Sequence, residues 1–187
     1  WEAGLGTRQV KGLRVAVAPN LGNAVIHPEV ERIVREAADV LIEETGMRRA
    51  DIDVKVPENG FAWASAGLPS LMADLEGRWP ACKQDLTFEI HFAMEASPHY
   101  RASHGAAVEL FRIQMNEAMA DLFEQVDVVL CATSPMEPFA AEGPMPYHVG
   151  EVPVSRYNAG ALTIPANLSG YPAISMPAGV SARGLPI

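Results

Sequence analysis

The sequence predicts an α/β fold, because a strand, a helix and a second strand follow one another in its first third. Residues 13–18 are rich in β-branched side chains and predict a buried strand. A helix then begins at Pro28, a favoured first-turn residue, and ends at Gly46, a favoured stop. Apolar residues alternate over 52–56 and predict the second strand. A unit of this order favours parallel strands joined by a right-handed crossover.

The predicted first helix has one apolar face and one charged face. The apolar stripe consists of Val30, Ile33, Val34, Ala37, Ala38 and Leu41. The charged run consists of Glu29, Glu31, Arg32, Arg35 and Glu36. We therefore expect the first face to cover the sheet and the second to form modest ion pairs in solvent.

The middle of the chain predicts further helices. Helical pieces cover residues 62–75 and 86–96 and are interrupted by Gly77 and Pro80. Ser103 is the predicted N-cap of a long helix after them. The apolar stripe of that helix consists of Val108, Phe111, Met115, Ala118, Met119 and Leu122.

The last third combines one buried strand with a long connection. Residues 126–131 predict the strand, and residues 132–153, with five prolines, predict a long loop that is either functional or a linker. A short helix is expected near residues 155–162, and a short strand over 173–176 between two prolines. The closely spaced prolines, glycines and small residues of 163–179 predict an ordered, packed segment.

Composition limits the possible partners and compartments. The 187 residues carry a net charge of −9, which repels phosphate backbones, so a nucleic-acid partner is not expected. Cys82 and Cys131 do not form a disulfide framework, and a reducing cytoplasm is the expected compartment. Apolar runs fall short of the roughly 18 residues that a membrane span needs, so no membrane association is expected.

Three blocks of the sequence resemble the C-terminal part of the amidase-signature hydrolases. The first is Gly12-Leu-Arg-Val-Ala-Val17, and the second is residues 123–135, Phe-Glu-Gln-Val-Asp-Val-Val-Leu-Cys-Ala-Thr-Ser-Pro. The third and most specific is Thr163-Ile-Pro-Ala-Asn-Leu-Ser-Gly-Tyr-Pro-Ala-Ile-Ser-Met-Pro-Ala-Gly179 with Gly184-Leu-Pro-Ile187. The resemblance implies a three-layer α/β/α arrangement around a mixed sheet, of which residues 1–187 are the C-terminal segment of a single domain.

The family resemblance also implies a chemistry. Amidase-signature enzymes hydrolyse a carboxamide C–N bond through a serine acyl-enzyme, with a second serine in a cis peptide and a lysine base. The Gly/Ser-rich stretch that carries those residues has no counterpart here, and Lys11, Lys55 and Lys83 do not stand in its context. We therefore assign no catalytic residue to this segment and expect it to be inactive alone. The family implies neither a cofactor nor a metal.

Three residues are candidates for substrate contact, namely Phe139 on the long loop, Tyr157 and Asn167. Each also has a structural alternative, which is favoured for the first and the third: Phe139 would pin the loop to the body, Tyr157 would fill the core, and Asn167 would satisfy backbone groups of a turn. The resemblance implies a small-molecule amide as substrate and a possible homodimer. The family's glutaminyl-tRNA-forming branch typically has aspartate where this chain has Gly160, and its paired arginines have no counterpart. A general small-molecule amidase is therefore the preferred expectation.

Two residue patterns suggest other kinds of site, namely a metal site and a catalytic cysteine. A metal site could be assembled from His91, Glu95, His99 and His104, but Pro98 breaks any single helix through them, so solvated histidines are favoured. Cys131 ends a strand as some catalytic cysteines do, but a small apolar core residue is favoured.

A second function remains open, namely a non-catalytic α/β binding or scaffold module derived from an amidase. The chain begins at Trp1 without an initiator methionine and ends at the entry to an expected strand. These two features favour a piece of a larger enzyme over the freestanding module.

Overall fold

The computed structural model describes residues 2–4, 6–7 and 9–187, so Trp1, Leu5 and Arg8 lie outside it. Within the described part the helices are α1 (Pro28–Thr45), α2 (Gly60–Ala66), α3 (Leu68–Asp74), α4 (Phe88–Ala96), α5 (Ala102–Gln125) and α6 (Ile164–Ser169). The strands are β1 (Arg14–Val17), β2 (Arg48–Arg49), β3 (Val128–Leu130), β4 (His148–Val149) and β5 (Val152–Pro153).

A three-stranded parallel sheet organises the fold. Its order is β2–β1–β3, with Arg14 opposite Arg48 and Val15 opposite Val128. Val15 in the central strand is fully buried. The backbone N–H of Arg14 and its guanidinium both bond the Asp127 carboxylate, and the side-chain hydrogen bond from Arg14 lowers the pKa of Asp127. β4 and β5 form a separate antiparallel hairpin. The predicted α/β class is confirmed.

Helix α1 begins, packs and ends at the residues that its sequence predicts. Pro28 occupies the first turn, and the His27 side chain accepts a hydrogen bond from the Glu29 N–H. Gly46 ends the helix in the left-handed conformation at φ 67°. Buried residues of the predicted stripe are Val30, Ile33, Val34 and Ala38. The prediction of helix, apolar face and stop is confirmed.

The second strand lies earlier than predicted. β2 is Arg48–Arg49, at an exposed edge, and residues 50–59 have no regular structure. Val54 and Val56 are buried, and the Val56 N–H bonds Leu21 O at 3.1 Å instead of a neighbouring strand. The alternation over 52–56 therefore reflects burial of every second side chain, while the backbone has already left the sheet. The prediction of a strand there was wrong, although the parallel crossover itself is confirmed.

The helices predicted for the middle of the chain are present, and only the predicted N-cap of α5 differs. α2, α3 and α4 occupy the two predicted helical regions, and α5 buries Met115, Met119 and Leu122 of its predicted stripe. Ser103 is not the N-cap of α5, because the helix begins one residue before it. The Arg101 N–H instead donates to His104 Nδ1 at 2.8 Å.

The C-terminal third departs most from expectation. The predicted 132–153 loop ends in the β4–β5 hairpin, and a 3₁₀ turn at Arg156–Gly160 occupies the position of the expected short helix. The strand predicted over 173–176 is absent from the described structure, and Ile174 there is 85% exposed instead of packed. Flanking prolines remove two backbone donors, and the segment is held by a hydrogen bond between the Thr133 and Ser175 hydroxyls.

The hydrophobic core joins the sheet to α1 and α5. Among its buried members are Ala16, Val30, Val34, Met115, Met119, Leu122 and Val126. α5 also contacts α2 and α6, and Phe123 stacks on Tyr171 at a ring distance of 4.7 Å. Every helix in the described ranges is too short or too polar to cross a lipid bilayer.

Candidate functional site

A small cleft of about 220 Å³ lies where four separate segments meet. They are the loop after β1, the residues that lead into α2, the end of the hairpin and the 3₁₀ turn. Its lining includes Asn23, Val25, Glu58, Asn59, Tyr157 and Asn158. A concave surface where a few polar side chains converge beside apolar ones is the usual form of a small-molecule site.

Asn158 fixes one wall of the cleft. Its Oδ1 accepts from the Val25 N–H at 3.0 Å, and its Nδ2 donates to Val25 O at 2.9 Å. A side-chain amide used in this way replaces a strand partner and holds the β1 loop against the 3₁₀ turn. Both polar atoms of Asn158 are consequently occupied with backbone.

Tyr157 is fixed from two directions. The Tyr157 N–H donates to Ser155 Oγ at 3.1 Å, which caps the 3₁₀ turn. On the other side the ring root packs directly on Gly60, where an added Cβ would fall 2.7 Å from Tyr157 Cγ. Glycine at position 60 thus allows the close approach that brings α2 to the cleft.

Two asparagines of the cleft retain unused acceptor atoms. Asn59 is only 1% exposed; its Nδ2 donates to Ala161 O at 3.0 Å, and its Oδ1 has no partner among the described residues. Asn23 Nδ2 donates to Pro57 O at 3.2 Å, and its buried Oδ1 is likewise unpaired among them. Because each Nδ2 faces a carbonyl, the reverse amide orientation is excluded. Unpaired buried acceptors are costly unless a ligand or water serves them.

The structure brings one of the three predicted contact residues to this cleft. Tyr157 lines it. Phe139 is 46% exposed in the loop before the hairpin, and Asn167 is exposed on α6. Sequence reasoning missed Asn23, Asn59 and Asn158, which read as ordinary turn residues. The Asn59-Gly60 pair was a signal, since a glycine there indicates a close backbone approach.

The histidine-rich region is organised by ordinary hydrogen bonds. His91 Nε2 lies 2.9 Å from Glu95 Oε1, and Lys83 Nζ lies 2.8 Å from the same oxygen. The hydrogen bonds from Lys83 and His91 lower the pKa of Glu95. His104 accepts from the Arg101 N–H. Among the described residues no three histidine, cysteine or acidic side chains converge as a metal site would require.

A wider depression of about 340 Å³ lies along the charged face of α1. Its charged groups are already paired, with Arg32 on Glu36 at 2.8 Å and Arg35 on Glu31 at 2.7 Å. These are the ion pairs that the sequence predicted. With these charges satisfied, this depression offers less to a ligand than the cleft.

Cys131 is poorly suited to nucleophilic chemistry. Burial raises the pKa of its thiol to about 11, so about one thiol in a thousand is a thiolate at pH 8.

We expect iodoacetamide at pH 8 to modify Cys131 slowly in the folded chain and quickly in urea, as measured by peptide mass spectrometry. Equal rates in the two states would contradict this.

Comparisons with known proteins agree with the α/β fold. A sequence model of the family described as Amidase matches residues 5–187. The chain therefore belongs to the amidase family, and the predicted resemblance is confirmed.

Curated relatives carry one recurring description. A glutamyl-tRNA(Gln) amidotransferase subunit of Myxococcus xanthus (strain DK1622) is 29% identical over 95% of this chain and 40% of its own length. The protein of the same description from Synechococcus sp. (strain RCC307) is 28% identical over 96% of this chain and 41% of its own. This chain thus spans about two fifths of the length of these relatives.

A solved structure supports the fold. A bacterial aryl acylamidase, described as one of the amidase-signature enzymes, superimposes with a TM-score of 0.81. The match covers 95% of this chain and 39% of that one at 23% identity. Similarity at this level shows that the two chains share a fold.

Proposed function

We propose that this chain is part of an enzyme that hydrolyses a carboxamide C–N bond through a serine acyl-enzyme. The observation that carries the proposal is the family match over residues 5–187. The nucleophilic serine, the serine of the cis peptide and the lysine base are proposed to lie outside these residues, in the remainder of the same domain. Backbone N–H groups aimed at the developing oxyanion would lower the barrier there.

The lysines of this chain support that placement. A base of this mechanism must be a neutral lysine. Lys55 is 2.7 Å from Asp53, and the hydrogen bond to Asp53 raises the pKa of Lys55, which keeps it charged. Lys83 is paired with Glu95 at 2.8 Å, and Lys11 is exposed. Lys55 is therefore unsuited to accept a proton from a serine.

Substrate contacts are proposed at Tyr157, Phe139 and Asn167. Tyr157 has the strongest support because it lines the cleft. Phe139 and Asn167 present exposed side chains, and we propose that both meet substrate only in the whole enzyme. We also propose that the whole enzyme is a homodimer and lies in the cytoplasm. The two free cysteines support the cytoplasmic location.

The proposal is tested by measuring the amidase activity of this chain alone, which we expect to be absent. We expect no ammonia release from acetamide, benzamide or glutamine above a buffer blank, because the attacking and proton-accepting groups are missing. We also expect a fluorophosphonate probe to leave every serine of residues 1–187 unlabelled by mass spectrometry. Turnover, or a probe adduct within these residues, would contradict the proposal.

The relatives favour a second candidate, a subunit of a glutamyl-tRNA(Gln) amidotransferase. Eight relatives at 25–49% identity carry the amidotransferase description. Gly160 stands against it, since that branch typically has aspartate there. Co-expression with the polypeptide encoded upstream distinguishes the two candidate functions. A glutamine-specific activity would favour the amidotransferase. Activity on simple amides would favour the general amidase.

A further inference from the structure

We propose that Arg156, Tyr147 and Phe92 form a binding site for a small aromatic carboxylate. The three residues belong to the 3₁₀ turn, to the segment just before β4 and to helix α4. Binding at this site needs no turnover and is independent of whether the whole enzyme is an amidase.

The Arg156 guanidinium has fewer polar partners than the other arginines of the described structure. Six arginines pair with a carboxylate, namely Arg14, Arg32, Arg35, Arg49, Arg112 and Arg183. Three more donate to backbone carbonyls, namely Arg48, Arg78 and Arg101. Within the described ranges Arg156 does neither, and its polar contact there is the Tyr147 hydroxyl at 3.4 Å. Most of its donors are therefore available to a ligand.

Two aromatic side chains from different elements position this guanidinium. Arg156 Cζ lies over the Phe92 ring, 5.7 Å from its centre, in the arrangement of a cation–π contact. Nη2 of Arg156 donates to the Tyr147 hydroxyl. The side chain of Arg156 is half-buried. The guanidinium is thus held in one place before a ligand arrives, which lowers the entropic cost of binding.

The unused polar groups at the site are donors. A guanidinium has five N–H donors and no acceptor. Because Tyr147 accepts from Arg156, its own hydroxyl hydrogen remains free to donate to a ligand. A carboxylate brings two acceptor oxygens and the opposite charge, and its planar shape matches the guanidinium fork.

Carboxylates of the neighbouring elements leave the Arg156 charge uncompensated. Glu95 on α4 is paired with Lys83 at 2.8 Å. Glu89, on the same helix, and Glu151, between β4 and β5, form no ion pair with Arg156 in the described part of the chain. The net charge of −9 repels a phosphate dianion more strongly than a carboxylate monoanion. The ligand is therefore expected to carry a single negative charge.

The apolar surface beside the guanidinium favours an aromatic ligand. Phe88 and Phe92 lie one turn apart on α4, and their rings stack with centres 6.1 Å apart. Both rings are exposed. An aryl group attached to the carboxylate can pack on them, and aromatic pairs contribute beyond the area that they bury. For so few atoms we expect a Kd on the order of millimolar.

An NMR titration of the isotope-labelled chain with phenylacetate at pH 7 tests the site. We expect saturable shifts at the backbone amides of residues 88–92, 147–149 and 155–157, and at the Arg156 Nε–H, with binding weakened by salt. Phenylacetamide, acetate and inorganic phosphate should each bind about tenfold more weakly or worse, because they lack the charge, the ring or the single planar anionic group. Equal or tighter binding of any of these three would overturn the proposal, and so would the absence of saturable shifts.

Variants of Arg156 and Tyr147 assign the contacts. We expect Arg156→Gln to weaken phenylacetate binding about tenfold or more, and Tyr147→Phe and Arg156→Lys about fivefold each, since lysine keeps the charge without the planar fork. Arg112→Gln is the matched control, because Arg112 is paired with Glu109, and it should bind like the unchanged chain. Unchanged binding in Arg156→Gln would overturn the assignment. If that variant does not fold, unchanged binding in both Arg156→Lys and Tyr147→Phe would do so.

Discussion

Gly60→Ala is expected to lower the free energy of unfolding by about 1–3 kcal/mol, the usual cost of overpacking. The new methyl carbon would fall 2.7 Å from Tyr157 Cγ and closer still to Tyr157 Cβ. Those atoms lie at the root of the side chain, so a rotamer change cannot move them away. The 3₁₀ turn would have to shift from α2, with loss of the cleft. Urea unfolding followed by tryptophan fluorescence measures the effect.

Gly67→Ala is the matched control. Gly67 connects α2 to α3 with φ −78° and ψ −18°, and a Cβ there would meet nothing within 4 Å. We expect no loss, or a gain of up to about 1 kcal/mol, because alanine reduces the entropy of the unfolded chain. If both variants unfold at the same urea concentration, the packing of Tyr157 on Gly60 is not what holds α2 to the 3₁₀ turn.

The elements predicted well from sequence are those that local signals determine. α1 depends on Pro28, a periodic apolar stripe and Gly46, and the structure uses each as expected. β1 lies at the sheet centre, where Val15 and Ala16, on opposite faces of the strand, are both buried. Such signals act within a few residues and can be read without knowledge of the partner.

The elements predicted badly depend on distant partners. Alternation over 52–56 gave no information on where the edge strand stops pairing, since both a strand and an extended loop can bury every second side chain. Ser103 has a capping side chain, but His104 bonds the Arg101 N–H instead. The 173–176 segment has strand-like residues, yet it pairs with none of the described strands.

Only part of the cleft could be predicted, because most of its residues also depend on distant partners. Tyr157 stood out as a polar group near small residues, and it lines the cleft. The asparagines act across the chain, with Asn158 on Val25, Asn59 on Ala161 and Asn23 on Pro57. Pairings of this range require the tertiary fold, so an asparagine beside a turn could not be distinguished from one that lines a site.

Met115→Ala is expected to cost about 2–5 kcal/mol of unfolding free energy, the range for large-to-small changes at buried sites. Met115 is fully buried in the core cluster together with Met119, Leu122 and Val126. Removing its thioether side chain leaves a cavity that a helix held by its contacts with α2 and α6 cannot readily close. A lower urea midpoint with an unchanged m-value would show that stability, and not compactness, has changed.

Ile113→Ala separates core packing from helix propensity. Ile113 lies two residues earlier on α5 and is 47% exposed. Neighbours two apart face different sides of a helix, and alanine is the better helix former, so we expect a change within about 0.5 kcal/mol. A loss at Ile113 as large as that at Met115 would mean that the opposite face of α5 is the one packed on the core.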